Sequence, residues 1–209
     1  MSELLHIQAS PRKSRSSSLA VAQEFVAAYR AANPGDKIEI WDLWNTALPE
    51  FDGAAIDAKY TIMHGETPSE KETEAWNEVR QVFERFASAD KYLISVPMWN
   101  FGIPYRLKHL IDVITQPGLA FRFSPGSGYE GLVKNKPVVV VYARGGEYSS
   151  AEQGRRFDFQ KPYIETLLGF IGFADIESIV VEPTLGPPDK VGAVHDAAKD
   201  AARALAAKF

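Results

Sequence analysis

The residues of this chain with the most specific chemical character lie between Ser95 and Pro104, in the segment SVPMWNFGIP. It places the large side chains of Met98, Trp99 and Phe101 around Asn100, and such a set is suited to holding a flat aromatic ring. The same three apolar side chains could instead pack in a hydrophobic core. Their position in the fold must decide between a binding loop and a core segment.

The residues before this loop predict where it lies. Lys91 to Val96 form a short apolar run that is partly β-branched, which is typical of a buried parallel strand, and Pro97 ends it. Ligands of open α/β sheets bind in the crevice outside the carboxyl ends of the strands. Gly102 allows close backbone approach, and Pro104 can begin the next helix. The segment from Pro97 to Pro104 is therefore predicted to be a binding loop.

A second polar cluster lies in the turn from Ser10 to Ser18, which joins the first predicted strand to the first predicted helix. Doubly wound folds bind phosphate at this position, because a helix N-terminus offers free N–H donors and partial positive charge. The hydroxyl groups belong to Ser10, Ser16, Ser17 and Ser18, and the local cations are Arg12, Lys13 and Arg15. A plain serine N-cap with solvated neighbours is the alternative. The position of the turn favours a site for a phosphomonoester.

A third segment, Tyr142-Ala143-Arg144-Gly145-Gly146, follows a valine-rich strand predicted over residues 138–143. Two glycines after a strand allow backbone N–H groups to approach a ligand without an intervening side chain, although a plain turn has the same composition. In a doubly wound sheet this strand lies beside the one that ends at Pro97. The loops after strands one, three and four are thus expected to surround one crevice.

One glycine pattern is expected to be misleading. The segment Gly126-Ser127-Gly128-Tyr129-Glu130-Gly131 has the glycine spacing of the dinucleotide-binding fingerprint. That fingerprint must follow a strand and open a helix, whereas this segment follows Ser124-Pro125 and leads into the valine-rich strand. It is predicted to be the tip of an excursion near residues 119–136.

Hydrophobic periodicity predicts strands and helices in alternation along the chain. The predicted strands are Leu4–Ala9, Lys37–Asp42, Tyr92–Val96, Val138–Ala143 and Ile176–Glu182, and the predicted helices are Ser17–Ala32, Ser69–Ala89, Tyr105–Thr115, Phe157–Gly169 and Asp189–Phe209. Such alternation indicates an α/β fold: a doubly wound five-stranded parallel sheet with helices on both faces. Residues 1–209 are predicted to form a single domain, with an irregular insertion near residues 41–63.

Composition excludes several classes of function. The 209 residues are 45% hydrophobic and 24% charged, as expected of one soluble domain, and the net charge of −4 argues against nucleic acid as a partner. We find no secretory signal and no apolar run of about 18 residues, so a cytoplasmic protein without membrane association is expected. The absence of cysteine excludes thiol chemistry, and the four scattered histidines predict no metal site. Redox chemistry would need a bound cofactor.

Taken together, Ser10 with Ser16-Ser17-Ser18, PMWNF at 97–101 and ARGG at 143–146 resemble the FMN-dependent NADH azoreductases, also described as FMN-dependent NADH:quinone oxidoreductases. The resemblance includes AFRFSPGSGYEGLVKNK at 120–136 and PYIETLLGFIGFADI at 162–176, and it runs nearly end to end. It implies a flavodoxin-like fold, one FMN per subunit, and a homodimer with its flavin sites at the subunit interface.

By the matching positions, the resemblance implies three groups of flavin-binding residues. The FMN phosphate would be held by Ser10, Ser16, Ser17 and Ser18; the isoalloxazine ring would be lined by Pro97, Met98, Trp99, Asn100 and Phe101; and its polar edge would be contacted by Ala143, Arg144, Gly145 and Gly146. Three positions depart from the family pattern, since Ser17 and Ala143 stand where relatives often have Gln and Ser, and Trp99 replaces a common Tyr. Phe121 and Tyr129 are predicted either to form aromatic walls of an acceptor pocket or simply to pack.

The mechanism that this resemblance implies has two half-reactions at one flavin. NADH delivers hydride and leaves, and then a quinone or azo compound binds and is reduced, which is a ping-pong order. The cofactor carries the chemistry, and no catalytic side chain is predicted. Two alternatives stay open at this point: a flavodoxin-like electron carrier without NADH turnover, and a hydrolase that uses the serine turn as its anion site. The preference between NADH and NADPH also stays open.

Overall fold

The computed structural model describes residues 1–150 and 152–209. Its main sheet has five parallel strands, and a separate antiparallel hairpin has two. The strands of the main sheet are β1 (Glu3–Gln8), β2 (Lys37–Asp42), β3 (Lys91–Pro97), β6 (Val138–Ala143) and β7 (Ile176–Val181), and those of the hairpin are β4 (Phe121–Ser124) and β5 (Gly128–Gly131). The order in the main sheet is β2-β1-β3-β6-β7, which confirms the predicted doubly wound arrangement.

Helices cover both faces of the main sheet, as the alternating pattern predicted. They are α1 (Ser17–Ala32), α2 (Gly53–Met63), α3 (Glu70–Ser88), α4 (Tyr105–Ile114), α5 (Glu152–Arg155), α6 (Lys161–Ile171) and α7 (Pro188–Ala206). One face packs on α1 and α7 through a core that includes Phe25 and Ala202. The other face packs on α3, α4 and α6 through a core that includes Phe86, Leu110 and Leu168. Strand β6 is buried along its whole length between these two cores.

The parallel register brings the carboxyl ends of the central strands to one edge. Pro97 at the end of β3 pairs with Ala143 at the end of β6, and Ala143 pairs with Val181 at the end of β7. The amide of Ala9, after β1, donates to the carbonyl of Ser95 at 3.0 Å. The three loops singled out in the sequence therefore begin side by side.

The segment near 41–63 corrects the expectation of an irregular insertion. It contains the end of β2, a loop, and then helix α2 from Gly53 onward. The helix begins where Asp52 accepts hydrogen bonds from the amides of Ala54 and Ala55, at 3.0 and 3.2 Å. It was missed because its buried positions are only alanines, Ala55 and Ala58, while Ile56, Ile62 and Met63 are exposed. In such a sequence, large apolar residues do not recur on the buried face of the helix, so hydrophobic periodicity does not indicate a helix.

The start of α6 differs from the prediction, whereas the glycine-rich segment 126–131 agrees with it. Helix α6 begins at Lys161 rather than at Phe157, because the Asp158 carboxylate accepts from the amides of Gln160 and Lys161, both at 3.1 Å. The glycine-rich segment 126–131 forms the hairpin turn and β5, and it opens no helix. The expectation that it is not a dinucleotide fingerprint is confirmed by this context.

Gly131 allows the hairpin to pack against the end of α6, and we predict that alanine cannot replace it without cost. An added Cβ would lie 2.3 Å from the amide nitrogen of Gly172 and 2.4 Å from the carbonyl carbon of Ile171, so backbone must move. Gly131→Ala should lower the free energy of unfolding by about 2 kcal/mol in urea titrations.

Gly192→Ala is the matched control, because Gly192 lies in α7 with no atom within 4 Å of an added Cβ. This substitution should raise the free energy of unfolding by about 0.5–1 kcal/mol. Equal effects of the two substitutions would show that the close approach at Gly131 has no energetic weight.

Candidate functional site

A cavity of about 200 Å³ lies at the carboxyl edge of the main sheet. The loops after β1, β3, β6 and β7 all contribute to it. Its lining residues are Ser10, Arg12, Ser16, Ser17, Pro97, Met98, Trp99, Ala143, Gly145, Thr184 and Leu185. Three of the sequence segments thus meet in one place, with an additional wall from the loop after β7.

The serine end of the cavity concentrates hydrogen-bond donors. Ser16 is the N-cap of α1, where its hydroxyl accepts from the amide of Leu19 at 3.4 Å and lies 3.2 Å from the hydroxyl of Ser18. The first amides of α1, at Ser17 and Ser18, have no carbonyl acceptor within the helix. Ser10 and Ser16 are almost fully buried, at 1% and 4% exposure. Hydroxyls, free amides and the positive end of the helix dipole therefore converge here.

The cations of the same loop have different positions. Arg12 lines the cavity, whereas the ammonium of Lys13 pairs with Asp42 at the end of β2, and Arg15 is exposed. Burial alone would raise the pKa of Asp42, but hydrogen bonds from Lys13, the Trp44 amide and Asn45 lower it. Asp42 therefore stays ionised and holds Lys13, which leaves Arg12 as the positive charge beside the serines.

The loop after β3 turns sharply after Trp99. The amide of Trp99 donates to the carbonyl of Gly102 at 3.1 Å, and the amide of Gly102 donates back at 2.9 Å. The two residues between them have positive φ, +47° at Asn100 and +69° at Phe101, which is the geometry of a type I′ turn. A bulky residue with positive φ stores strain, and such strain is often found at binding sites.

This turn separates the side chains of the loop into two groups. Met98 and Trp99 line the cavity, and the amide of Met98 is fixed by the carbonyl of Ala143 at 2.8 Å. Asn100 and Phe101 are exposed, and the ring of Phe101 lies 5.2 Å from that of Phe157. The aromatic residues of the segment are therefore not simply core, since Trp99 faces the cavity and Phe101 lies at its outer surface.

Arg144 connects the loops that form the walls of the cavity, although its own side chain does not line it. Its guanidinium is fully buried and lies 2.9 Å from Asp158 and 3.2 Å from Glu182. Nε donates to the side-chain carbonyl of Gln160 at 3.1 Å, and the amide nitrogen of Gln160 donates to the carbonyl of Val96 at 3.1 Å. One side chain thus connects the loops that follow β3, β6 and β7.

The two carboxylates beside Arg144 are held in different ways. Glu182 also accepts from the amides of Tyr148 and Ser149, at 3.0 and 2.9 Å. Although burial alone would raise the pKa of Glu182, these hydrogen bonds and the Arg144 charge lower it. The contact of Arg144 with Asp158 is an ion pair without hydrogen-bond geometry, because Nη2 has no hydrogen-bond acceptor among the described residues.

The cavity brings together most, but not all, of the residues singled out in the sequence. Those that line it are Ser10, Ser16, Ser17, Pro97, Met98, Trp99, Ala143 and Gly145. Those that lie beside it without lining it are Ser18, Asn100, Phe101, Arg144 and Gly146. Phe121 and Tyr129 lie on the β4–β5 hairpin and pack on Phe170 of α6, with ring centroids 4.8 and 5.6 Å away. This contact fits the packing alternative within the subunit.

Thr184 and Leu185 are lining residues that the sequence reasoning missed. They follow β7, and they are fixed by hydrogen bonds from the Thr184 amide to the Arg144 carbonyl, at 2.8 Å, and from the Leu185 amide to the Gly145 carbonyl, at 3.2 Å. Their position in the sequence could have indicated them, because they follow β7, which lies beside β6 and ends at the same edge of the sheet. Arg12 was singled out only for its charge, and it proves to be a lining residue.

The side chains of the lining argue against hydrolytic chemistry at this site. Arg12 is its one titratable side chain, so the lining has serine and threonine hydroxyls but no general base that could activate one of them for phosphoester hydrolysis. No cluster of His, Cys, Asp and Glu in residues 1–150 and 152–209 could hold a metal ion. Every helix in the described part of the chain is too short or too polar to span a lipid bilayer.

Comparison with protein families and curated proteins gives matches along the whole chain. A family described as having a flavodoxin-like fold matches residues 2–205. The FMN-dependent NADH:quinone oxidoreductase of Desulfotalea psychrophila is 55% identical over 185 residues, which are 88% of this chain and 87% of that protein. The protein of the same name from Nitratidesulfovibrio vulgaris is 48% identical over 210 aligned positions and covers 100% of both chains.

Solved structures give similar results. An azoreductase from Bacillus anthracis superimposes with a TM-score of 0.91 at 28% identity, over 100% of both chains. An FMN-dependent NADH-azoreductase from the same organism, solved in complex with FMN, gives a TM-score of 0.86 at 25% identity, over 99% of this chain and 100% of the other. The similarity therefore includes all the elements that surround the cavity.

Proposed function

Because the chain belongs to the family of FMN-dependent NADH:quinone oxidoreductases with the flavodoxin-like fold, we propose that the cavity at the carboxyl ends of β1, β3 and β6 is its flavin site. The protein is an FMN-dependent oxidoreductase, and NADH is its reductant. One observation carries this assignment: the N-terminus of α1, which can bind an anion, and the indole of Trp99 line the same cavity. We propose quinones and azo compounds as its acceptors.

The donor set of the cavity fits FMN at both ends. Buried serine hydroxyls and the first amides of α1 match a phosphomonoester, which needs several hydrogen-bond donors and positive potential. At the ring end, Gly145 lets Leu185 lie close to the loop after β6, because a Cβ added to Gly145 would lie 3.0 Å from Leu185 Cδ1. Trp99 and Met98 supply the apolar surface that a planar ring requires.

Under this assignment, FMN would be held by Ser10, Ser16 and Ser17 at its phosphate and by Met98 and Trp99 at its ring, and it would supply the redox chemistry. The chain itself would bind FMN, orient the reactants against it and exclude water. The backbone amides of Asn100 and Gly145 to Gly146 are our candidates for the polar edge of the ring. Arg144 acts on these amides indirectly, because its side chain is engaged by Asp158 and Glu182.

We also propose that NADH and the acceptor use the site in turn, which gives ping-pong kinetics. FMN alone would fill a cavity of about 200 Å³, so NADH and the acceptor would approach the exposed part of the same bound ring one after the other. Because Arg12 is the one titratable side chain of the lining, product protons would come from water rather than from a catalytic acid.

The surface beside the cavity supports a homodimer with the flavin sites at its interface. Phe101, Tyr105, Phe157 and Phe159 are all exposed, at 45%, 63%, 44% and 61%. A contiguous exposed aromatic surface on an enzyme usually marks an interface. Sedimentation equilibrium would test the homodimer by measuring the oligomeric state. We place the enzyme in the cytoplasm, where NADH is available as the reductant.

Ser17→Asp tests the position of the phosphate. Ser17 is the first residue of α1 and lines the cavity, so a carboxylate there would favour the helix while repelling a bound phosphate. We expect the affinity for FMN to fall at least about tenfold while the affinity for riboflavin, which lacks the phosphate, stays within about twofold. Fluorescence titration measures both dissociation constants.

Gly53→Asp is the matched control, because Gly53 is the exposed first residue of α2 and its Cβ would meet no atom within 4 Å. It adds the same charge at a helix N-terminus away from the cavity, and it should leave both affinities unchanged. An equal loss of FMN and riboflavin binding in Ser17→Asp would contradict the assignment of the serine turn to the phosphate.

A further inference from the structure

Trp44, which follows β2 and does not line the cavity, contacts the cavity wall from outside. Its ring centroid lies 5.7 Å from that of Trp99, with the planes tilted by 49°. It also meets Tyr105, the first residue of α4, edge to face at 5.3 Å. Trp99 and Tyr105 lie 6.4 Å apart, so the three rings form one cluster. Trp44 is the member that touches both others most closely.

Trp44 is itself fixed by hydrogen bonds at both of its N–H groups. Its indole Nε1 donates to the carbonyl of Ala9 at 3.0 Å, immediately before the serine turn. Its backbone amide donates to Asp42 Oδ1 at 3.2 Å. Asp42 is also the carboxylate that holds Lys13. A ring that is hydrogen-bonded at its indole nitrogen, carried on a backbone fixed by Asp42 and packed on two aromatic neighbours has little rotational freedom.

These contacts connect the two ends of the cavity. Ala9 and Lys13 belong to the segment that carries the phosphate-binding serines, whereas Trp99 forms the wall of the ring end. The only aromatic side chain in the lining is Trp99, so its orientation determines the shape of the ring site. An unsupported indole on a strained turn could rotate away from the cavity.

We propose that Trp44 is a positioning residue for the flavin ring: it holds Trp99 against the cavity by linking it to the carbonyl of Ala9. The inference rests on the proposed function, because it concerns how that site is preorganised. It differs from a purely structural role in one respect. A structural residue would affect stability alone, whereas Trp44 should affect ring binding and the optical properties of the bound ring.

The test compares Trp44→Ala and Trp44→Phe with the wild-type protein, using riboflavin and FMN as probes. Trp44→Ala removes the aromatic contact and the hydrogen bond, and we expect the affinity for both flavins to fall about tenfold. Trp44→Phe keeps an aromatic ring but loses the indole N–H, and we expect a loss of about threefold. Emission of bound flavin should rise in the order wild type, Trp44→Phe, Trp44→Ala, because Trp99, the tryptophan in the cavity wall, quenches flavin emission less when it is held less firmly.

Trp76→Ala is the matched control. Trp76 lies in α3 and packs on a separate cluster that includes Val79 and Val113. It should lower the melting temperature without changing flavin affinity or the emission of bound flavin. If Trp44→Ala does not fold, the comparison of Trp44→Phe with wild type still decides the question through emission and affinity.

The outcomes separate this inference from the proposed function. If the wild-type protein binds neither flavin, the proposed site itself is wrong. If the wild type binds both, but both Trp44 variants match its affinities and emission, the positioning role is overturned while the flavin site stands. A loss for FMN alone would also overturn it, because the effect would then be on the phosphate.

Discussion

Arg144→Met should lower the free energy of unfolding by about 3–5 kcal/mol, the range found when one member of a buried ion pair is removed. The substitution preserves much of the side-chain volume but leaves Asp158 and Glu182 without their shared cation. It also removes the donor to Gln160, which connects to the end of β3. Urea denaturation of the flavin-free protein at pH 7 measures the effect directly.

Two comparisons determine whether the buried charges are the cause. Arg122→Met breaks an exposed ion pair with Glu130 on the hairpin and should change the free energy of unfolding by at most about 0.5 kcal/mol. Adding Glu182→Gln to Arg144→Met should restore part of the lost stability, because it removes one buried charge. If the two arginine substitutions have equal effects, Arg144 does not hold the walls of the cavity.

His6 should make the protein lose about 2.5 kcal/mol of stability between pH 7 and pH 4.5, and His6→Gln should remove this part of the acid sensitivity. His6 is buried in β1, where its Nε2 lies 3.1 Å from the hydroxyl of Ser95. Burial lowers the pKa of His6 from 6.5 to about 3. Below pH 6.5 the unfolded chain therefore takes up a proton that the folded protein does not, and acid favours unfolding.

The measurement is a set of urea titrations between pH 7 and pH 4.5 on the wild-type protein and His6→Gln. The carboxylates titrate in both proteins, so the difference between the two profiles isolates His6. His64→Gln, at an exposed position after α2, removes a histidine without changing a buried site and should follow the wild-type profile. Parallel profiles for wild type and His6→Gln would mean that His6 does not remain neutral in the folded protein.

The main sheet could be predicted because its strands have strong local patterns. The valine run of β6 and the apolar run of β3 are continuous, as expected for strands with both faces covered, and the predicted bounds of α1, β2 and β6 match those of the structure. Helix α2 could not be predicted, because its start depends on the Asp52 cap and its buried face consists of alanines. The start of α6 likewise depends on one carboxylate, that of Asp158.

The site was predictable where strand ends determine it, and less so where side chains depend on distant partners. The serine turn, Trp99 and Gly145 lie at the ends of predicted strands, and the fold brings them together. The position of Arg144 is different, since nothing in its local sequence indicates that Asp158 and Glu182 bury its charge. The exposure of Phe101 could not be predicted either, because it follows from two successive positive φ angles.

We propose that this chain takes hydride from NADH and passes it to an acceptor through FMN bound in the cavity at the carboxyl ends of β1, β3 and β6. The most direct test is an anaerobic titration of the FMN-loaded protein with NADH and then with menadione, a quinone, followed by visible absorbance. We expect NADH to bleach the flavin absorbance and menadione to restore it. Absorbance that persists after a stoichiometric excess of NADH would contradict hydride transfer from NADH and favour an electron carrier with a different reductant.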